Sequence, residues 1–113
     1  MEPEPRLKTA IWVQAQVRLC DRHFIPIAVA KRGDADAGAV LLRLLRSNGK
    51  SLILRRQFGL GGTSQWAAAG GGELDPEAAD DLLARERKRD PDLWIVEVDD
   101  PKGRYWPDRP FED

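Results

Sequence analysis

The chain has 113 residues, of which 42% are hydrophobic and 33% are charged, and its formal net charge is -1. One cysteine, Cys20, and one histidine, His23, exclude an internal disulfide and a Cys/His zinc site. No segment approaches the ~18 uninterrupted apolar residues of a membrane helix, and residues 1–5 lack the basic and apolar regions of a signal peptide. These features predict one cytoplasmic domain without a metal, a cofactor or a membrane segment.

The first element is predicted to be a helix over residues 9–22. Apolar residues recur in this segment at helical spacing, although they also alternate as they would in a strand. A stretch of this length without glycine or proline is longer than a typical strand, which favours the helix. Because Pro26 cannot continue the helix, a strand is predicted to follow over residues 25–31.

A β-hairpin is predicted over residues 40–57, because Asn48-Gly49 separates two apolar runs. Asn-Gly is typical of a two-residue type I′ turn, in which both residues have positive φ. That turn predicts the register in which Arg43 faces Leu54. Both faces of the hairpin are apolar near the turn, so another element must pack against each face to bury it. We expect helices or a partner chain to do so, and an uncovered face would favour a homo-oligomer.

The C-terminal half is predicted to contain a short strand, a helix and a last strand. Residues 57–72 are uncharged and include six glycines, a composition typical of loops around a short strand at residues 63–69. A helix is predicted over residues 76–89, where Asp75 is suited to the N-cap position, a proline follows it and basic residues end the segment. Residues 92–98 form an apolar run typical of a buried strand.

The predicted order of elements indicates an α+β fold in a single domain over residues 1–113. The sheet is expected to be mainly an antiparallel meander of three to four strands plus a last strand. The two helices are available to cover it, on one face or on both. Residues 1–5 and about 107–113 are predicted to be extended or poorly ordered, because they contain prolines and lie at the termini.

Three sequence blocks span nearly the whole chain: residues 6–13, residues 32–41 (RGDADAGAVL), and residues 90–100 (DPDLWIVEVDD) with Gly103-Arg104 after them. Together they resemble a small bacterial family catalogued as domain of unknown function 1491. The family has no assigned reaction, ligand or partner. The resemblance therefore implies no activity and identifies no functional residue.

The charge is unevenly distributed, because residues 31–56 hold seven basic and two acidic side chains whereas residues 73–113 are acidic overall. A basic hairpin of this kind attracts anionic partners, and a tryptophan on the next strand offers a stacking surface. We therefore predict a non-enzymatic binding module for an acidic protein or a nucleic acid. The alternative is a solvated rim balanced by the acidic segments, which the net charge favours. The predicted contact residues are Arg43, Arg46, Arg55, Arg56 and Trp66.

A second functional hypothesis is a small metal-assisted hydrolase. Asp34 and Asp36 share one loop, and Glu97 and Asp99 share one face of the last strand, so the four carboxylates are candidates for Mg²⁺ ligands or an acid/base pair. Asp100 also begins an Asp-x-Lys sequence of the spacing found in nuclease sites. The alternative is structural, since aspartates in turns cap backbone amides and acids at strand ends keep an edge soluble.

Overall fold

A computed structural model gives the structure of residues 7–58 and 64–111. The predicted α+β fold is confirmed, and both helices have the predicted bounds. In the part of the chain described, no helix is long and apolar enough to span a lipid bilayer. The elements are α1 (Thr9–Arg22), β1 (Ile27–Lys31), β2 (Val40–Leu45), β3 (Ser51–Phe58), β4 (Ser64–Leu74), α2 (Pro76–Arg89) and β5 (Trp94–Asp99).

The sheet is mixed rather than purely an antiparallel meander. Its strand order is β1-β5-β2-β3-β4, and β5 runs parallel to β2 and antiparallel to β1. Strand β5 thus lies between two strands that are consecutive in the sequence. Its first residues, Trp94 to Val96, are all buried, and such a strand needs neighbours on both edges and cover on both faces. The last strand of the sequence is therefore an inner strand of the sheet.

The two helices lie on opposite faces of the sheet. Successive residues of β2 point to opposite faces. Leu42 and Leu44 pack into the core beneath α1, whereas Leu41 packs into the core beneath α2. Both edge strands are partly exposed, and in β1 the residue Val29 is 38% exposed. Homo-oligomer formation through an uncovered sheet surface stays a prediction.

The hairpin turn differs from the predicted type I′ turn. The Arg46 N–H donates to the Lys50 carbonyl at 2.9 Å, and the Gly49 N–H donates to the Arg46 carbonyl at 3.1 Å. Gly49 has φ +81°, whereas Asn48 does not have a positive φ. The loop therefore has three residues, with a type I turn followed by a left-handed glycine. The prediction of a two-residue turn is wrong.

The longer turn shifts the register of the hairpin by one residue. Arg43 pairs with Ile53 rather than with Leu54. Because strand side chains alternate between faces, this shift exchanges the faces of all the β3 side chains relative to β2. Arg55 consequently shares the α2 face with Arg43, and Arg56 lies on the α1 face.

The predicted strand at residues 63–69 is longer in the structure. Strand β4 continues to Leu74 through three glycines with positive φ, and the pairing with β3 is irregular between Leu52 and Leu54. The glycines permit this bulge because they adopt positive φ without a steric penalty. The predicted loop at residues 59–63 and the predicted arm at residues 1–5 lie outside the described residues.

Candidate binding site

The loop that connects β1 to β2 also holds the start of α1. The N-cap position of α1 has no side-chain hydrogen bond. Instead the backbone N–H of Thr9 donates to the Asp36 carbonyl at 3.3 Å, and the N–H of Ala10 donates to the Ala35 carbonyl at 2.9 Å. Two of the four N–H groups that lack a partner within the helix are satisfied in this way. The start of α1 is therefore anchored at this end of the sheet.

Asp34 organises the same loop. Its carboxylate accepts the Ala37 N–H at 2.8 Å, its carbonyl accepts the Trp94 indole N–H at 2.7 Å, and its own N–H donates to the Asp92 carbonyl at 2.9 Å. The backbone approach is very close, because a Cβ atom on Gly33 would lie 2.1 Å from the Asp92 oxygen. Asp34 thus caps a turn, as the structural alternative predicted.

The four carboxylates of the hydrolase hypothesis are not brought together. Asp34 contacts the segment that precedes β5, whereas Glu97 and Asp99 lie near the other end of that strand. Five residues of extended chain separate Asp92 from Glu97, or roughly 16 Å. Among the residues that the structure describes, no group of three or more His, Cys, Asp or Glu side chains is arranged to hold a metal.

Arg43 and Arg46, two of the five predicted contact residues, hold neighbouring elements of the fold together. The Arg43 side chain is 12% exposed, and it donates to Asp80 at 2.7 Å and to Ser51 Oγ at 2.9 Å. Arg46 donates to the buried carboxylate of Asp100 at 3.1 Å. Both guanidinium groups stabilise contacts between elements of the sheet and their neighbours.

The other three predicted contact residues lie on adjacent strands, with Arg56 and Trp66 on the α1 face of the sheet and Arg55 on the α2 face. Arg56 pairs with Trp66 across strands β3 and β4, and Arg55 precedes it. Trp66 also stacks on Trp12 of α1, with ring centroids 5.3 Å apart. The Arg56 guanidinium carbon lies 4.9 Å from the Trp12 ring centroid and 5.1 Å from the Trp66 centroid, within the range of cation–π attraction.

The C-terminal segment completes this cluster with one carboxylate. Trp12 Nε1 donates to Asp108 Oδ1 at 2.9 Å, and Trp66 Nε1 donates to Asp108 Oδ2 at 2.8 Å. Residues 107–111 form neither helix nor strand, although Pro107 is buried. Sequence reasoning missed the roles of Trp12 and Asp108. They are 96 positions apart, and no local pattern connects them.

A cavity of about 470 Å³ adjoins the arginine pair at this end of the sheet. The Arg55 side chain is 42% exposed at its rim and contacts Glu86 of α2 at 2.8 Å. Arg56 also lines the cavity. The lining also includes the carboxylates of Asp36, Glu86 and Asp90, so the positive charge is confined to the two arginines. Such a cavity suits a ligand with an apolar group and an anionic group that reaches Arg55. The apolar lining includes Leu7, Ala37, Ala39, Val40, Leu41 and Leu93.

Burial keeps the Cys20 thiol and the Tyr105 hydroxyl in their neutral forms. Burial, reinforced by the negative charges of Asp100 and Asp21, raises the pKa of the Cys20 thiol to about 11. Burial also raises the pKa of Tyr105, whose hydroxyl donates to Gln16 Oε1 at 2.6 Å. A protonated, enclosed thiol is a poor nucleophile, so Cys20 acts as a core residue, as predicted.

The fold and the site define a small α+β domain with a mixed sheet and a cavity lined by apolar and charged side chains at one sheet end. The family model described as "Protein of unknown function (DUF1491)" matches residues 7–107, and the chain belongs to this family, as its resemblance predicted.

Solved structures of related proteins share the fold. The crystal structure of a DUF1491 family protein from Caulobacter crescentus CB15 has 31% identity and a TM-score of 0.83, covering 95% of this chain and 100% of that one. An NMR structure of a family protein from the same organism has 31% identity and a TM-score of 0.79, with 95% and 97% covered. The solution structure of protein Atu0922 from A. tumefaciens has 27% identity and a TM-score of 0.69, with 87% and 89% covered. No curated protein matches the chain.

Proposed function

We propose that this protein is a non-enzymatic binding module of the cytoplasm that engages an acidic segment of a partner protein. The observation that supports this proposal is the cavity whose lining is largely apolar and includes Arg55. An apolar side chain of the partner enters the cavity, and a neighbouring carboxylate pairs with the Arg55 guanidinium. An arginine fork suits this role because it can donate two parallel hydrogen bonds to one carboxylate.

Within the predicted basic hairpin, residues 40–57, we assign the binding surface to Arg55 and Arg56 and not to Arg43 and Arg46. Arg43 and Arg46 are held by carboxylates of the domain itself. Arg55 also pairs with Glu86, whose side chain is 15% exposed. A guanidinium has five N–H donors, so a partner carboxylate can bind Arg55 beside Glu86 without displacing it.

A protein partner fits better than a nucleic acid. Neutralising many phosphates requires many accessible cations, whereas the net charge is -1 and three of the predicted arginines already form ion pairs. The cavity lining is also largely apolar, which favours a side chain over a phosphate backbone. No observation in the described residues favours the metal-assisted hydrolase.

The test is binding of a short peptide of alternating glutamate and leucine, followed by the amide resonances of the cavity residues. Arg55→Ala removes one charge-assisted contact, so its affinity should fall roughly tenfold. Arg85→Ala is the matched control, since Arg85 is an exposed α2 residue outside the cavity lining. Its affinity should be unchanged.

Two outcomes would contradict the proposal. The first is an equal loss of affinity in Arg55→Ala and Arg85→Ala, which indicates non-specific charge attraction. The second is failure of the peptide to bind at low salt while a single-stranded oligonucleotide binds with dependence on Arg55. That result would identify a nucleic-acid partner instead.

A further inference from the structure

We infer that Trp12, Trp66 and Arg56 form a carboxylate-binding site and that Asp108 is its intramolecular ligand, which an acidic residue of the partner displaces. This inference rests in part on the proposed function, because it identifies a second contact for the same acidic segment. The site itself is defined by contacts within this chain. It can therefore be tested without any peptide.

The geometry of the two indoles is that of a receptor for one carboxylate. An indole N–H is a donor only, and two stacked indoles that direct both N–H groups to one place match the two oxygens of one carboxylate. Asp108 supplies it, with one oxygen on each ring at 2.9 Å and 2.8 Å. The Arg56 guanidinium lies within cation–π range of both rings and adds a positive charge to the cluster. Any carboxylate that reaches the two N–H groups finds the same contacts.

The position of Asp108 favours exchange with an external carboxylate. Asp108 has φ +60°, a left-handed conformation that residues with a Cβ atom adopt less readily than glycine. Residues 108–110 are exposed and belong to no helix or strand, so the Asp108 side chain can leave without breaking any sheet pairing. Its hydrogen bond from Trp66 is at the surface. The carboxylate is thus held mainly by the contacts that a competitor would take over.

The site adjoins the cavity of the proposed function. Arg56 contributes to both, because it lines the cavity and also lies over the indole pair. A partner segment that places an apolar side chain in the cavity and one carboxylate on Arg55 can place its next carboxylate on Trp12 and Trp66. The C-terminal segment then competes with the partner as an internal ligand. Its effective concentration is high because it belongs to the same chain.

Chemical rescue of Asp108→Ala by acetate tests the carboxylate site. We expect this variant to unfold at a lower temperature than the parent and to regain about 4 °C in acetate well above its dissociation constant, compared with chloride at equal ionic strength. The indole N–H resonances of Trp12 and Trp66 should move together in acetate. Asp81→Ala is the matched control for the lost charge, since Asp81 is an exposed α2 residue. It should show no difference between the two salts.

The result that would overturn the site is equal behaviour of Asp108→Ala in acetate and chloride, with unmoved indole resonances. If this variant does not fold, Asp108→Asn serves instead, because an NH2 group, which cannot accept from an indole, replaces one of the two oxygens that the indoles contact. Acetate that restores the second indole resonance supports the site. Acetate that leaves that resonance unchanged overturns it.

Competition with the glutamate–leucine peptide tests the displacement. Asp108→Ala should bind the peptide about fivefold more tightly than the parent, and Asp81→Ala should not. Peptide binding that depends on Arg55 but is unchanged in Asp108→Ala overturns the inference and leaves the proposed function intact. Acetate rescue without any peptide binding supports the carboxylate site and contradicts the proposed function.

Discussion

Asp100 provides the sharpest test of whether the carboxylates near the end of β5 are structural or catalytic. Its side chain is 2% exposed. The carboxylate accepts the backbone N–H groups of Arg104 and Tyr105, both at 2.9 Å, and the Arg46 Nη1 group at 3.1 Å. All of these contacts lie within the domain. Asp100 therefore holds the segment that follows β5 against the turn end of the hairpin.

The structure predicts that Asp100→Ala destabilises the fold strongly. Removal of the carboxylate leaves the half-buried Arg46 guanidinium and two backbone N–H groups without their acceptor. Loss of one partner from a buried ion pair typically lowers the free energy of unfolding by about 3 to 5 kcal/mol. Asp100→Asn retains one acceptor oxygen but no charge, so we expect a smaller loss of about 2 to 3 kcal/mol.

Urea unfolding followed by tryptophan fluorescence measures both variants. Asp99→Asn is the matched control, because Asp99 is the exposed neighbour on the same strand, and such surface changes alter stability by less than about 0.5 kcal/mol. Parental stability of Asp100→Asn would refute the structural role. That result would instead favour a catalytic role for the Asp-x-Lys sequence that begins at Asp100.

Two further predictions concern the hairpin turn and the buried thiol. Gly49→Val should lower the free energy of unfolding by about 1 to 3 kcal/mol, because Gly49 has φ +81°. Asn48→Ala should lower it by less than about 1 kcal/mol. Denaturation midpoints measure both, and a larger effect at Asn48 than at Gly49 would favour the two-residue turn. Cys20 should react with a disulfide reagent only as the protein unfolds. Stability should also fall as pH rises from 9 towards 11, because the unfolded thiol ionises near pKa 9.0 and the folded thiol near pKa 11. A pH dependence in Cys20→Ala equal to that of the parent would contradict this assignment.

Both helices and the buried last strand could be predicted from the sequence because their signals are local. Helix α2 begins after Asp75 and Pro76 and ends in basic residues, and the chemistry of helix ends acts within one turn. Helix α1 was favoured by length and spacing over an alternating pattern. The candidate site is predictable in part, because Arg55 and Arg56 lie in the basic hairpin and Trp66 lies on the next strand along the chain.

Only the tertiary structure decided the strand order, the hairpin register and the carboxylate cluster. An apolar run indicates a buried strand but not its neighbours, so the position of β5 between β1 and β2 depends on how both faces pack. Asn48-Gly49 is compatible with turns of two or three residues, and one residue decides which face carries Arg56. Trp12 and Asp108 meet because α1 and the C-terminal segment pack on the same sheet face, a contact between distant residues that no local signal encodes.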